Sequence, residues 1–459
     1  MAGLSSVQNI VVLMLENRSM DHMLGYLYHA NGNVSPSGQP FEGLRGTESN
    51  PDGKGGQVAV FPIEAGTPNA YLMPGADPGE GYMATNSQLY GSTATPAAGT
   101  AANMDGFVSD FAYTLEWQKR EGWSIVAGTS ASDVMGCFTP EMLPVLSGLA
   151  SGFAVCDHWF GSVPTETLPN RAFLCAATSQ GHMDDKTKTF TSPSIFAALT
   201  AKGVEWAIYG YEAEPLTKHT FTDVTHEPAS RFGVFSDFTA AAAAGTLPAF
   251  VFLEPDWGAT GNSQHPNYNV AAGEQLIHDT YYALRNGPRW EQTLLIITYD
   301  EHGGCYDHVS PPWGATPPDD STGEFEFDFT RFGPRVPTVL VSPLIEAGTV
   351  FRAPEGASPL DHTSILKTLE NRFGLAALTK RDEAAIDVSA ALTLETPRSD
   401  DPLAGVTVPS ATQTPPQEDK PSHLQEALAE LMSREHPAGT VEPQLRTRAE
   451  YERYIRPSK

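Results

Sequence analysis

Three short strings place oxygen-bearing side chains where a cation and a nucleophile could meet. In LMLENRSMDH, Glu16 and Asn17 close an apolar run. A carboxylate beside a carboxamide offers two oxygen ligands to a hard or borderline cation, unless Asn17 only caps the helix that follows. In TLLIITYDEHGGCYDHVSPP, Asp300 and Glu301 end the most hydrophobic run of the chain, and Gly303 and Gly304 let the backbone turn close beside them. Adjacent acids at the end of a buried strand repel each other, and a shared cation relieves that repulsion. In SVPTETLPNRAFLC, Thr167 stands two residues before Pro169, as in the first turn of a helix, so its hydroxyl lies near unpaired backbone N–H groups. There it can be a nucleophile or a plain N-cap. Asn170 and Arg171 follow as candidate substrate contacts. His265, in EPDWGATGNSQHP, and His308, beyond Glu301, are candidate proton donors to a leaving oxygen. His22, His158, His182 and His362 read as structural.

Continuous apolar runs at 10–15, 153–156, 206–209, 250–253, 294–299 and 338–341 each end in a polar or acidic residue or a glycine. Unbroken apolarity over so few residues predicts strands covered on both faces. Between them lie helical patterns, such as SPSIFAALTAKG with a Ser start and a Gly stop. Alternating strands and helices predict an α/β fold: a mostly parallel central sheet with helices on both faces. In such a sheet the reactive groups gather beyond the carboxyl ends of the strands. Residues 1–395 read as one catalytic domain, with a loop-rich insertion at 31–105 expected near the mouth of the site. Residues 396–459 read as a tail: a Pro-rich linker to 421, a short helix over 423–436, then a charged end.

The net charge is −27. That acidity repels phosphate backbones and anionic membrane surfaces, so nucleic acid is excluded as the expected partner. A phosphate-ester substrate would then need a local positive charge, and a bound cation is the natural source. No apolar run reaches the roughly 18–20 residues that span a bilayer. The apolar stretch near the start has no positive residues before it, so it reads as a first strand and not a signal peptide, with a cytoplasmic location as the default and export open if a leader was removed. Cys137, Cys156, Cys175 and Cys305 form no CxxC pair and read as buried free thiols.

Together the strings resemble one family: the bacterial phospholipase C and acid phosphatase phosphoesterases, with the plant non-specific phospholipases C. ENRSMDHMLG, MDGFV, TLPNRAF with the following TSQG, YDEHGGCYDHVSPP, GPRVPTVLVSPLIEAGTV and DHTSILKTLENRFG fall in the family's order between residues 9 and 374. The resemblance implies an alkaline-phosphatase-like fold and phosphate-ester hydrolysis at one divalent cation: calcium, magnesium, manganese or zinc. It implies that Glu16, Asn17, Asp300 and Glu301 are metal ligands, that Thr167 is the nucleophile, and that His265 binds phosphate or protonates the leaving group. One position departs: plant members read DPGH where this chain has DPGE, which makes Glu80 a candidate catalytic acid or metal ligand. The expected activity is phospholipase C-like cleavage of a phosphodiester, with phospholipid among the candidate substrates. An acid-phosphatase-like phosphomonoesterase and a non-catalytic, metal-stabilised binding protein are the alternatives.

Overall fold

All six apolar runs enter one sheet. The computed structural model describes residues 3–186, 188–258, 260–410, 421–435 and 445–456. In chain order the sheet strands are β1 (Asn9–Leu15), β2 (Ala154–Val155), β3 (Trp206–Gly210), β4 (Phe232–Val234), β5 (Phe250–Leu253), β6 (Thr293–Tyr299), β7 (Val339–Val341) and β8 (Thr349–Val350). Across the sheet they run β8-β2-β7-β6-β1-β5-β3-β4. Every pairing is parallel except those that β7 makes with β6 and β2. The short edge strands β4 and β8 carry no long apolar run, and the sequence pattern does not mark them.

Side chains alternate between the two faces of a strand. Every residue of β1 and β6 is nonetheless buried, so both faces of the sheet centre are covered. The cover is helical. Helices α4 (Pro144–Gly152) and α8 (Val270–Arg285) pack together, and so do α5 (Thr167–Ala176), α6 (Ile195–Lys202) and α9 (Thr363–Phe373). Local chemistry sets their limits. In α6, Ser194 accepts the Ala197 N–H and Gly203 closes the helix at φ 72°.

The 31–105 segment is mostly loop, but it is not bare. It contributes α2 (Gly81–Tyr90), which packs against α3 (Phe107–Glu121). Leu44, Val60 and Leu89 from this segment join Phe107, Phe111 and Leu115 in a second apolar cluster. The start of the Pro-rich stretch is tied down: Arg398 donates to Gly152 O at 2.6 Å, Tyr281 and Tyr282 both donate to Asp401 at 3.0 Å, and Leu403 joins the main core. Residues 411–420 of that stretch lie outside the described residues. The tail helix α10 (His423–Arg434) sets Leu424, Leu428 and Leu431 against Leu168, Leu216 and Trp257. No helix among the described residues is long and apolar enough to cross a membrane. The four cysteines are buried and free.

Candidate active site

The register of the two central strands assembles the floor. Leu15 pairs with Tyr299, so Glu16–Asn17 and Asp300–Glu301 leave the sheet side by side. Asn17 turns at φ 56°, a left-handed conformation that Asn tolerates better than most residues. Its N–H then donates to Asp300 Oδ1 at 2.9 Å, and the Glu301 N–H donates to the same oxygen at 2.8 Å. Arg171 takes the other oxygen, through Nε at 3.0 Å and a terminal nitrogen at 2.9 Å. The tight approach needs glycine: a Cβ on Gly303 would lie 2.1 Å from Asn17 O.

Helix α5 delivers the hydroxyl. Glu166 occupies the cap position and Thr167 is the first helical residue, so Thr167 is not the N-cap. Its Oγ1 donates to Asn17 Oδ1 at 3.1 Å. The other end of the Asn17 carboxamide donates to Glu80. Asp185 accepts the Leu168 N–H at 2.6 Å and so holds the first turn. Asn170 bonds the backbone of Val163, Thr165 and Glu166, which makes it a brace for the loop before the helix. Arg171 donates to Asp300 and to the Met14 and Leu15 carbonyls, and its guanidinium lies 4.5 Å from the Trp257 ring centroid.

Above this floor opens a cavity of about 500 Å³. Glu16, Asn17 and Thr167 line its base, Asp77, Glu80 and His265 one wall, and Trp257 and Tyr268 apolar ground; Pro421, Ser422, His423 and Leu424 of the tail line it too. Three carbonyls fix the wall through one residue. Arg18, fully buried, donates to Gln264 O at 2.6 Å, His265 O at 3.1 Å and Met73 O at 2.7 Å. His265 Nε2 stands 3.6 Å from Glu80 and 4.0 Å from Asp77. His308 lies elsewhere. Its Nδ1 is 2.6 Å from Asp21, in a cluster with Asp307 and the fully buried Arg335, and it does not line the cavity.

The carboxylates crowd. Glu16 is pushed up to about 7, by burial first and then by Asp300. Burial and Asp300 hold Glu301 well above the usual carboxylate range, and burial and Asp77 do the same to Glu80. Burial alone would lower His265, yet the charges of Asp77 and Glu16 keep it above the ordinary imidazole value. Glu16 Oε2 and Glu301 Oε1 are buried with no hydrogen-bond partner. Glu16 lines the cavity and Asp300 and Glu301 do not; buried, unpartnered carboxylate oxygens are nonetheless the donors that a hard divalent cation takes. The residues present fit such an ion. Asp77, Glu80 and His265 also bring one ligand atom each to within 4.8 Å of one another.

Asp77, Asp185, Trp257, Tyr268 and His423 are among the lining residues that the sequence reading missed. Asp77 had a signal, since it opens the same DPGE string as Glu80. The others sit in loops or in the tail, with no local pattern. Strand-end acids alone did not suffice as a guide: Glu254 caps the helix Leu216–Thr220 through the Leu216 and Thr217 N–H groups, and Asp157 pairs with Arg352.

The protein is of the α/β class, with a mostly parallel sheet that sets acids at two central strand ends near a hydroxyl at a helix start. The family profile described as the Phosphoesterase family matches residues 7–376, and the chain belongs to that family. It is a phosphoric ester hydrolase by that membership. It is 36% identical to non-specific phospholipase C6 of Arabidopsis thaliana over 437 residues, 90% of this chain and 78% of that protein. It is 27% identical to phospholipase C A of Mycobacterium tuberculosis over 445 residues, 86% of this chain and 78% of that one. Among solved structures, the Listeria monocytogenes lipoteichoic acid synthase LtaP aligns at 12% identity and a TM-score of 0.35, over 59% of this chain and 72% of that chain. A protein of the alkaline phosphatase superfamily from Vibrio parahaemolyticus aligns at 13% identity and a TM-score of 0.32, over 53% and 64%.

Proposed function

We propose that this chain is a phospholipase C-like phosphodiesterase in which Thr167 is the nucleophile. The contact that carries the reading is the 3.1 Å hydrogen bond from Thr167 Oγ1 to Asn17, at the base of the acidic cavity. Glu16, Asn17 and Glu301 would hold one divalent cation, with Asp300 as the carboxylate that also anchors Arg171. Bound there, the cation supplies Lewis-acid charge for the phosphoryl oxygens and the attacking alkoxide. Thr167 Oγ loses its proton to solvent water and forms a bond to phosphorus in line as the bond from phosphorus to the leaving oxygen breaks. His265, which lines the cavity beside Asp77 and Glu80, would give a proton to the departing alcohol. Water then attacks the phosphorus of the threonine phosphodiester, the bond from phosphorus to Thr167 Oγ breaks, the headgroup phosphomonoester leaves, and a proton from the water restores the hydroxyl.

The substrate preference follows from charge. No lysine or arginine among the described residues lines the cavity, while Glu16, Asp77, Glu80 and Asp185 do. A singly charged diester meets less repulsion there than a dianionic monoester. The named relatives are phospholipases C, and a lipid diester is the substrate assigned here. The test is metal analysis of the purified protein, then turnover of nitrophenyl phosphorylcholine and nitrophenyl phosphate after chelation and after add-back of calcium, magnesium, manganese and zinc in turn. Diester turnover that vanishes with the metal and returns with one of them is expected. Undiminished turnover in chelator, or monoester turnover alone, overturns the reading.

A further inference from the structure

Helix α3 has one ordinary face and one that is not. Phe107, Phe111 and Leu115 bury against the second apolar cluster. On a surface helix the opposite face should be polar. Here it presents Tyr113, 72% exposed, and Trp117, 36% exposed, one turn apart. Gly122 ends the helix at φ 75° and sends the chain back, so that Trp123, 48% exposed, sets its ring 5.5 Å from that of Trp117. Among the described residues only Val34, Met83 and Phe325 are other large apolar side chains so exposed, and Met83 lies on α2, which packs against α3. Three open aromatic rings within eleven residues give up hydrophobic stabilisation that a soluble surface would not forgo, and such patches mark interaction sites.

Two features say what covers this one. The first is continuity with the active-site cavity: Trp123 belongs to the patch and also lines the cavity, so whatever seats on the rings stands at the mouth of the site. The second is charge. The exposed end of α3 carries both signs, Glu116 and Glu121 with Lys119 and Arg120, and Arg120 pairs with Glu121 at 3.4 Å, so this end has no net charge in a chain whose net charge is −27. Tyr and Trp are the residues that settle at a membrane–water interface with their rings at headgroup depth, and a patch flanked by equal numbers of both signs suits headgroups that are themselves zwitterionic. The overall acidity repels an anionic bilayer.

We infer that Tyr113, Trp117 and Trp123 form a docking surface for a zwitterionic phospholipid bilayer, which presents lipid headgroups to the cavity. The inference rests on the lipid-diester reading above. Docked, the rings leave water for the interface while α3 stays folded, so the surface works without any rearrangement of the catalytic floor.

The experiment compares the full chain with a Tyr113→Ser, Trp117→Ser double variant, whose two sites do not line the cavity. Five readouts are taken: co-sedimentation with phosphatidylcholine vesicles, quenching of tryptophan emission by brominated phosphatidylcholine, cleavage of vesicle phosphatidylcholine, turnover of nitrophenyl phosphorylcholine in solution, and the thermal midpoint. Of the seven tryptophans, Trp159, Trp206, Trp257 and Trp290 are buried, which leaves Trp117, Trp123 and the half-buried Trp313, and the difference in quenching between parent and variant reports on the patch. The parent chain should partition and be quenched. The variant should partition roughly tenfold or more weakly, by the apolar area removed, and cleave vesicle lipid correspondingly more slowly. It should keep the parent's soluble-diester rate and thermal midpoint. Equal partitioning of the two proteins overturns docking, as does parent emission that brominated lipid leaves unquenched. A patch that holds two copies of the chain together, seen as a sedimentation change without a lipid effect, overturns it too. A parent chain inert on the soluble diester sinks the catalytic reading instead, while sedimentation and quenching still decide docking.

Discussion

Replacing Thr167 by valine separates a nucleophile from a structural hydroxyl. The side chain is 2% exposed and makes one hydrogen bond, to Asn17 Oδ1. Valine keeps the volume and the branched Cβ, so no cavity opens. What is lost is that bond, and an acceptor is left without its protein donor. Together these cost about 1–3 kcal/mol of stability. The Asn17 carboxamide stays tethered by its donation to Glu80, and its N–H by Asp300, so the floor should survive. If Thr167 only positioned Asn17, the rate loss would be of the same order as that structural cost, about ten- to a hundredfold. Removing an attacking group costs far more, roughly 10⁴- to 10⁶-fold, or about 5–8 kcal/mol of barrier. The assay is steady-state turnover of nitrophenyl phosphorylcholine with metal present, alongside urea denaturation of the same samples. Thr167→Ser is the control: it keeps the hydroxyl, loses one buried methyl at about 1 kcal/mol, and should retain most activity. A folded Thr167→Val protein with more than about a hundredth of parental turnover refutes the mechanism.

Two further outcomes probe the supports of the site. Arg18→Met strips the donors from three buried carbonyls, Met73, Gln264 and His265, and should cost about 2–4 kcal/mol. Because two of those carbonyls belong to the loop that aims His265, kcat should fall more than KM rises; unaltered kinetics would show that the loop needs no such anchor. His308 is raised to about 9: burial works against its charge, and the Asp21 carboxylate beside it more than restores it. A group raised in the folded state stabilises while it is protonated. That contribution should be complete below about 6.5 and fade as pH climbs through about 9. The difference in unfolding free energy between parent and His308→Gln should therefore shrink over that interval, and a difference that stays flat from pH 6 to about 10 would exclude the pairing.

Much of the floor could be read from local pattern because its causes are local. A strand buried on both faces must be apolar throughout, and an acid that ends such a strand stands out against it. Thr167 could be placed because Pro169 and the helical run behind it mark a helix start. Other positions shared the same local signature and did something else. Glu254 ends a buried strand as Asp300 does, but it caps a helix. Asn170 stands three residues from Thr167, yet helical geometry turns it back on the loop before the helix. His308 lies seven residues beyond Glu301 and faces Asp21 and Arg335.

What the sequence alone determined was the kind of fold, the family and the three strings that build the floor, since burial on two faces, helix starts and family blocks are all written in neighbouring residues. Only the tertiary structure decided which strand ends lie side by side, that Asp77, Glu80 and His265 share a wall, that the tail helix reaches the cavity, and that three aromatic rings stay open to solvent. Those outcomes depend on the order of strands across the sheet and on contacts between residues far apart in the chain. A short window of residues can state its own hydrophobicity, but not which distant surface will be there to cover it.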